Sequence, residues 1–209
     1  MGTAEQMYAS DNQGYSVPNL IVVGGASYQG WQSNESFLRI LGVSHNPNPS
    51  YFSYWNAAFL CPEAILSLNE VSTVRKGVYA NARWAYGRNN EFGPSWADPG
   101  ARCIKLGRLK SPSGKLLVMD ANDTRAEYEK ANPGLWQLYG ENKPNENGTP
   151  NCMPLYRHGN KLNSAFYDGR VRAGISWNEV FDSAQSTRPA NPQSSRAYYK
   201  YWNLWANAQ

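Results

Sequence analysis

The stretch RHGNKLNSAFYDGRV, residues 157–171, predicts the clearest structural element of the chain, a β-hairpin. Over residues 162–167 the side chains alternate in a way that gives a strand two distinct faces. Asp168 and Gly169 follow this strand, and both tolerate the positive φ angles of a tight turn. We therefore expect two antiparallel strands, 163–167 and 170–175, joined at Asp168-Gly169.

His158 precedes the hairpin in a Gly-Asn loop. Extended chain at roughly 3.3 Å per residue would hold its imidazole far from Asp168. A metal site needs three or four convergent ligands, and a serine hydrolase needs a nucleophile on a strained turn such as G-x-S-x-G, which the chain lacks. We interpret His158 as a structural hydrogen-bonding residue and Asp168-Gly169 as a turn; the alternative is a ligand or catalytic role.

The rest of the chain favours an α+β fold. Ala4, Met7 and Tyr8 have helical spacing, so residues 2–10 are expected to form a helix that ends near Gly14. Further strands are expected at residues 17–24, 76–86, 102–109 and 116–119, with short helices capped at 33–36 and at Ser176. Strands do not alternate with long helices, which argues against a parallel α/β fold. The expected fold is a helix packed on a mainly antiparallel sheet with long loops, 87–100 and 121–155.

Composition narrows the class of protein. The 209 residues fit one domain, 1–209, and the 13% aromatic content is that of an ordered chain. The net charge of +4 is scattered without a basic run, so no nucleic-acid partner is expected. Low charge with abundant Asn, Gly, Tyr and Trp is typical of secreted and cell-surface proteins. The longest apolar run, residues 20–23, is too short for a membrane span.

Three cysteines stand far apart at positions 61, 103 and 152, with no C-x-x-C pair. Together with two distant histidines they do not suggest a zinc site. The sequence leaves two alternatives open: one disulfide with a leftover thiol, or three reduced cysteines.

Five segments, in order, resemble the prepilin-type, pseudopilin-like bacterial family marked by a histidine that Asp-Gly follows after nine residues. His158 and Asp168-Gly169 match that H-X9-DG marker. The other segments are GTAEQMYASDNQGYSVP (2–18), FLCPEA (59–64), YANARWAYGRNN (79–90) and KLGRLKSPSGKLLVMDAND (105–123). The resemblance spans residues 3 to about 180. The chain departs from the family in Arg170, where the family often has His or Ser, and in the lack of an apolar helix before residue 1.

The resemblance implies a pilin-like fold in which residues 1–13 are the end of a longer helix and residues 187–209 are an aromatic C-terminal extension. It implies a non-enzymatic subunit of a cell-envelope filament or type II secretion-like assembly, at the periplasmic or extracellular surface of a bacterium. Its partners would be other pilin-like subunits, bound through the missing helix, which would also make the only membrane contact.

No cofactor or metal is expected, with one weak exception. Related subunits can carry calcium in C-terminal loops, and Asp120, Asn122 and Asp123 form a loop dense in oxygen ligands. A plain polar turn is the favoured interpretation of this loop.

The alternative function is an extracellular carbohydrate-binding module. Aromatic rings on loops offer flat apolar faces to sugars. The candidate ligand-contacting residues are Trp96, Trp136, Tyr139, Trp202 and Trp205. Tyr198, Trp202 and Trp205 also share helical spacing, which favours packing on the sheet. An enzyme ranks last: His158, Asp168, Glu127 and Glu129 could serve as acids or bases, but no spacing requires it, and no catalytic residue is predicted.

Overall fold

The protein has a mixed α+β fold, which a computed structural model describes for residues 1–23, 27–45, 53–69, 78–90, 103–142, 144–185 and 195–204. The helices are α1 (Gly2–Asp11), α2 (Glu35–Leu41), α3 (Ile65–Asn69), α4 (Pro133–Tyr139) and α5 (Trp177–Val180). The strands are β1 (Leu20–Val23), β2 (Ser27–Gly30), β3 (Tyr54–Asn56), β4 (Tyr79–Asn81), β5 (Tyr86–Asn89), β6 (Leu116–Asp120), β7 (Arg125–Ala126), β8 (Lys161–Phe166) and β9 (Val171–Ser176). None of the helices in these ranges has the length and apolar character of a transmembrane span.

The main sheet has five strands in the order β7-β5-β6-β8-β9. All its neighbours are antiparallel except β5 and β7. Two small antiparallel ribbons, β1–β2 and β3–β4, complete the strands. The α+β class and the mainly antiparallel sheet agree with the sequence prediction.

The predicted hairpin is confirmed. Leu162 of β8 faces Ile175 of β9, and Ala165 faces Val171. At the turn, Gly169 has φ +94°, a conformation that L side chains rarely adopt. The Asp168 carboxylate accepts a hydrogen bond from the Arg170 backbone N–H at 3.1 Å. Turn chemistry and alternation together therefore determine this element.

Helix α1 is fixed to the sheet by a buried ion pair. The Glu5 carboxylate binds the Arg88 guanidinium of β5 at 2.6 and 3.1 Å, and both side chains are at most 1% exposed. Glu5 also accepts a hydrogen bond from the Val17 backbone N–H at 3.1 Å. The first turn of α1 lies against the hairpin tip, where Gly2 is too close to Gly169 to leave room for a Cβ.

In the described parts of the chain, buried hydrophobic residues form two clusters. The first includes Trp31, Phe37 and Trp55, together with Ala4 and Tyr8 of α1. The second is built from the residues Leu116, Met119, Tyr128, Phe166, Ile175, Phe181 and Trp202, among others. Strand β6, buried along its whole length, contributes to both, as expected for a central strand.

Two strand predictions are wrong. Residues 76–86 were expected to form one strand, but β4 and β5 are separated by a 3₁₀ turn at Ala82–Trp84. The Asn81 side chain accepts a hydrogen bond from the Arg83 N–H at 3.1 Å, and this local bond competes with a continuous strand. In the described part of 102–109, Leu106–Arg108 forms a 3₁₀ turn, and only Lys105 makes a bridge, to Tyr15.

Helix α4 lies inside the predicted loop 121–155 and was not expected. Asn132 caps it by accepting a hydrogen bond from the Gly134 N–H at 2.9 Å, and Pro133 occupies its first turn. Both are ordinary helix-start signals, so the sequence carried this helix without a strong apolar pattern.

The described part of the C-terminal segment packs on the second cluster. Tyr198–Trp202 forms a π-helical turn, and the Trp202 ring is fully buried. Trp202 Nε1 donates to the Val180 carbonyl at 2.7 Å. The buried Lys115 ammonium donates to the Tyr199 carbonyl, and burial lowers the pKa of Lys115 to about 8. The prediction that Trp202 contacts a ligand is therefore wrong, because no face of its ring reaches solvent.

Candidate functional site

Three potential metal ligands meet at one end of the main sheet. Asp120 is the last residue of β6, and the β8 backbone N–H of Asn163 donates to its Oδ2 at 2.8 Å. His158 lies in the turn before β8, where its backbone N–H donates to the Lys161 carbonyl at 3.0 Å. Cys61 approaches from the loop before α3. Strand pairing places Asp120 and His158 together, and only the tertiary fold adds Cys61.

The distances between these side chains are short. Cys61 Sγ lies 3.6 Å from His158 Nε2, and Asp120 Oδ2 lies 3.3 Å from the same nitrogen. The three ligand atoms all lie within 4.8 Å of one another. On the other side of the ring, His158 Nδ1 lies 3.3 Å from the Glu63 carboxylate. We call Cys61, Asp120 and His158 the Cys-Asp-His cluster.

Arg157 lies beside the oxygen of the Asp120 carboxylate that does not face His158. Its guanidinium lies 3.6 Å from Asp120 Oδ1 and 2.6 Å from the Glu141 carboxylate. It also donates to the Trp84 and Ala85 carbonyls, each at 2.7 Å. Burial raises the pKa of Asp120, and the Arg157 charge opposes that shift. The carboxylate therefore has a fixed orientation with one oxygen directed at His158.

A cavity of about 220 Å³ opens beside the cluster. Its polar lining comes from the cluster itself and from Tyr86, Asn163 and Ser164. Burial raises the pKa of Tyr86 to about 12, so its hydroxyl remains protonated at neutral pH. Pockets for drug-sized ligands typically measure about 300–1,000 Å³, so this one suits water or a very small ligand.

The cluster does not favour a cysteine nucleophile. Cys61 and Glu63 lie beside the two ring nitrogens of His158, an order of groups that resembles a catalytic relay. A reactive cysteine, however, needs an electropositive environment that lowers its pKa. Here burial raises the pKa of the Cys61 thiol, and the Asp120 carboxylate raises it further. The thiol is therefore protonated at neutral pH and poorly nucleophilic.

Asp168 takes no part in this cluster. Its carboxylate lies 3.8 Å from Arg170 at the hairpin tip, while His158 contacts Asp120 and Glu63 at the opposite end of β8. The interpretation of Asp168-Gly169 as a turn is confirmed, and His158 is a hydrogen-bonding residue as expected, although its partners lie far away in sequence.

In the polar loop after Asp120, side-chain oxygens accept hydrogen bonds from other protein groups. Asn122 accepts from the Met153 N–H at 2.8 Å, and Asp123 accepts from Arg83 at 3.2 Å and from the Thr124 N–H at 2.7 Å. Both side chains are buried. These bonds fit the polar turn, whereas a calcium loop would direct Asp120, Asn122 and Asp123 at a common point.

The predicted sugar-contacting aromatics are scattered. Trp96 and Trp205 lie outside the described residues. Trp136 and Tyr139 stand half-buried on α4, and Trp136 lines a recess of about 110 Å³ together with Trp177. This recess is smaller than a typical ligand pocket. No common platform forms among the predicted aromatics that the structure describes.

All three cysteines are free thiols, which corresponds to the reduced alternative. Cys152 is buried and donates to the Asp123 carboxylate at 3.5 Å. Cys103 is half-buried and is not a member of the Cys-Asp-His cluster. Only Cys61 therefore combines a partly accessible thiol with a neighbouring histidine in the described parts of the chain.

Sequence reasoning missed Cys61 and Glu63 as site residues. The two lie in the FLCPEA segment, 97 positions before His158 in the case of Cys61. No periodicity in the sequence connects these two residues with His158. The signals that could have pointed to them were the FLCPEA segment itself and the scarcity of histidine in the chain.

Comparison of the chain with models of protein families, with curated proteins and with solved structures gives no match in any of the three. The pseudopilin-like resemblance therefore stays a prediction that rests on the five segments.

Proposed function

We propose that this protein is a non-enzymatic, pilin-like subunit of a cell-envelope filament or type II secretion-like assembly, exposed on the periplasmic or extracellular side of a bacterium. The observation that carries the proposal is the way α1 is anchored. A subunit of this kind is held in its assembly by a helix that continues α1 toward the N-terminus, so any force on that helix must reach the sheet.

The contacts of α1 suit that load. The buried Glu5–Arg88 ion pair ties its first half to β5 with two hydrogen bonds, at 2.6 and 3.1 Å. Gln6 donates from its side chain to the Tyr167 carbonyl beside the hairpin turn. Gly2 packs directly on Gly169. In the proposal, the Asp-Gly turn of the family marker is therefore the surface on which the first turn of the helix packs.

The Cys-Asp-His cluster supports the non-enzymatic part of the proposal. Its thiol is protonated and its cavity is small, whereas hydrolysis of a polymer needs an open cleft with a nucleophile or converging acid and base groups. Function would then lie in the surfaces that the domain presents.

Intact-mass measurement with N-terminal sequencing of the protein from its native source tests the proposal. We expect a mature chain extended by roughly 20 apolar residues, enough to span a bilayer, and beginning with a methylated residue. Electron microscopy of shed surface material should then show the chain in filaments or in a secretion complex. A native chain that begins at Met1 would overturn the proposal.

A groove beside α5 favours the second candidate, carbohydrate binding. It has a volume of about 540 Å³, within the range of ligand pockets. Trp177 contributes a partly exposed indole, and the charged lining residues are Glu179, Asp182, Arg196 and Lys200. An aromatic face beside charged hydrogen-bonding groups is the combination that sugars require. Trp177 was not among the predicted aromatics.

Glycan-array screening followed by calorimetric titration tests this second candidate. If the groove binds sugar, Trp177→Ala should weaken binding by about tenfold or more, because loss of one stacking contact costs about 1.4 kcal/mol or more. Tyr139→Ala on α4, an aromatic residue outside the lining of the groove, is the control and should leave the affinity unchanged. Equal losses in both variants, or no bound glycan at all, would refute it.

A further inference from the structure

We propose that Cys61, Asp120 and His158 together bind one zinc ion, through Sγ, Oδ2 and Nε2, with the fourth position facing the adjacent cavity. The proposal is independent of the pilin-like function. It concerns the Cys-Asp-His cluster in its own right, which combines sulfur, nitrogen and oxygen donors from three separate segments.

Two of the three distances between ligand atoms match a tetrahedral zinc site. Zinc binds sulfur at about 2.3 Å and nitrogen or oxygen at about 2.0–2.1 Å, which places tetrahedral S and N ligands about 3.6 Å apart and N and O ligands about 3.4 Å apart. The observed separations are 3.6 Å for Cys61 Sγ to His158 Nε2 and 3.3 Å for His158 Nε2 to Asp120 Oδ2. Two edges of the ligand triangle therefore have the required length already.

Outer contacts hold the ligands in the orientation that a metal needs. Glu63 lies 3.3 Å from His158 Nδ1. This carboxylate favours the tautomer that carries its proton on Nδ1, which leaves the Nε2 lone pair for the ion. The Asn163 N–H and the Arg157 guanidinium fix the Asp120 carboxylate, at 2.8 and 3.6 Å. A carboxylate–histidine–metal arrangement of this kind sets the tautomer of the ligating ring.

The local charge also favours a dication. Glu63 and Asp120 lie beside His158, and Asp120 and Glu141 lie beside Arg157, so three carboxylates stand against one guanidinium around the cluster. When zinc binds, the Cys61 S–H bond breaks, the S–Zn bond forms, and the proton leaves to solvent. The cluster keeps three protein ligands and one open position, which is the pattern of zinc sites that retain a water or a small exogenous ligand.

A bound ion would connect distant parts of the fold. Cys61 and His158 are 97 positions apart, and Asp120 ends the central strand β6. The ion would thus hold the loop before α3 onto the end of the main sheet. Because the ion binds the folded chain and stabilises it by mass action, zinc should also raise the melting temperature until one equivalent is bound.

Cobalt and zinc titrations of the reduced, chelator-treated protein test the proposal. We expect uptake of one equivalent of Co²⁺ with a near-ultraviolet thiolate-to-metal absorption band, displaced by one equivalent of Zn²⁺. Cys61→Ser and His158→Gln should each weaken zinc binding by more than about 100-fold, since loss of outer contacts alone costs about 10–100-fold. Cys103→Ser and His45→Gln are the matched controls and should bind as the native chain does.

The result that would overturn the proposal is equally defined. If the cluster holds no metal, the native chain will take up no stoichiometric metal and will show no thiolate band. A band that survives Cys61→Ser would overturn it as well. If the ligand variants do not fold, Glu63→Gln at the half-exposed outer position should still weaken binding about tenfold, and an unchanged affinity would refute the geometry.

Discussion

Replacing Glu5 by glutamine is expected to lower the free energy of unfolding by about 3–5 kcal/mol, because it leaves the Arg88 guanidinium buried without a counter-charge. Arg88 is fully buried, and the carboxylate oxygens of Glu5 lie 2.6 and 3.1 Å from its nitrogens. Burial is the largest single influence and lowers the pKa of Arg88, but Glu5 and Tyr167 together raise that pKa above its usual range. The guanidinium therefore keeps its proton and its charge.

Denaturant titration measures this effect, and an exposed pair on α2 provides the control. Glu35 and Arg39 lie 3.9 Å apart with side chains 60% and 77% exposed. Glu35→Gln should therefore change the free energy of unfolding by no more than about 0.5 kcal/mol. The double variant Glu5→Met with Arg88→Met should recover much of the single loss, since apolar replacement of a whole buried pair is often neutral.

The same series bears on the proposed function. A loss below about 1 kcal/mol for Glu5→Gln would mean that the pair is solvated. In that case α1 would not be anchored to β5 firmly enough to transmit force to the sheet. A large loss that the double variant recovers would show that the cost comes from an unpaired buried charge, and thus that the intact pair joins α1 to β5. That result would support a role for α1 in transmitting force to the sheet.

Elements that depend on neighbouring residues were predictable from sequence. The β8–β9 hairpin follows from alternation and from the positive φ that Asp-Gly accepts. Helix α5 follows from Ser176, whose capping box with Glu179 the structure contains. In each case the physical cause acts within about four residues, so a local pattern determines the outcome.

Features that depend on distant residues were not predictable. The Glu5–Arg88 pair joins residues 83 positions apart, and the Cys-Asp-His cluster joins residues 97 apart. A glutamate in a short helix and a cysteine before a proline each have several ordinary interpretations. Their partners are determined by the pairing of β5, β6 and β8, which no single window of sequence contains. The 76–86 stretch was mispredicted for a different, local reason, because the Asn81 side chain accepts a hydrogen bond from Arg83 and interrupts the strand that alternation favours.

Replacing Trp202 by alanine is expected to lower the free energy of unfolding by about 3–5 kcal/mol, the range for deleting a fully buried tryptophan from a core. The ring is fully buried, with its centroid 6.2 Å from the Tyr128 ring in an edge-to-face contact, and its N–H donates to the Val180 carbonyl at 2.7 Å. The substitution removes all of these contacts and leaves a cavity between α5 and the sheet.

Trp202→Phe separates the two parts of that loss. It keeps most of the ring volume and removes the N–H, so it should cost about 1–3 kcal/mol, the range for leaving one buried acceptor unpaired. Leu138→Ala on α4, at a side chain 70% exposed, should change stability by less than about 0.5 kcal/mol. If Trp202→Ala had the same denaturant midpoint as the native chain, residues 195–204 would not belong to the core. The indole would then be a surface aromatic that is open to ligands. The full loss, by contrast, would make this segment part of the cooperative fold even though it lies beyond the pseudopilin-like resemblance.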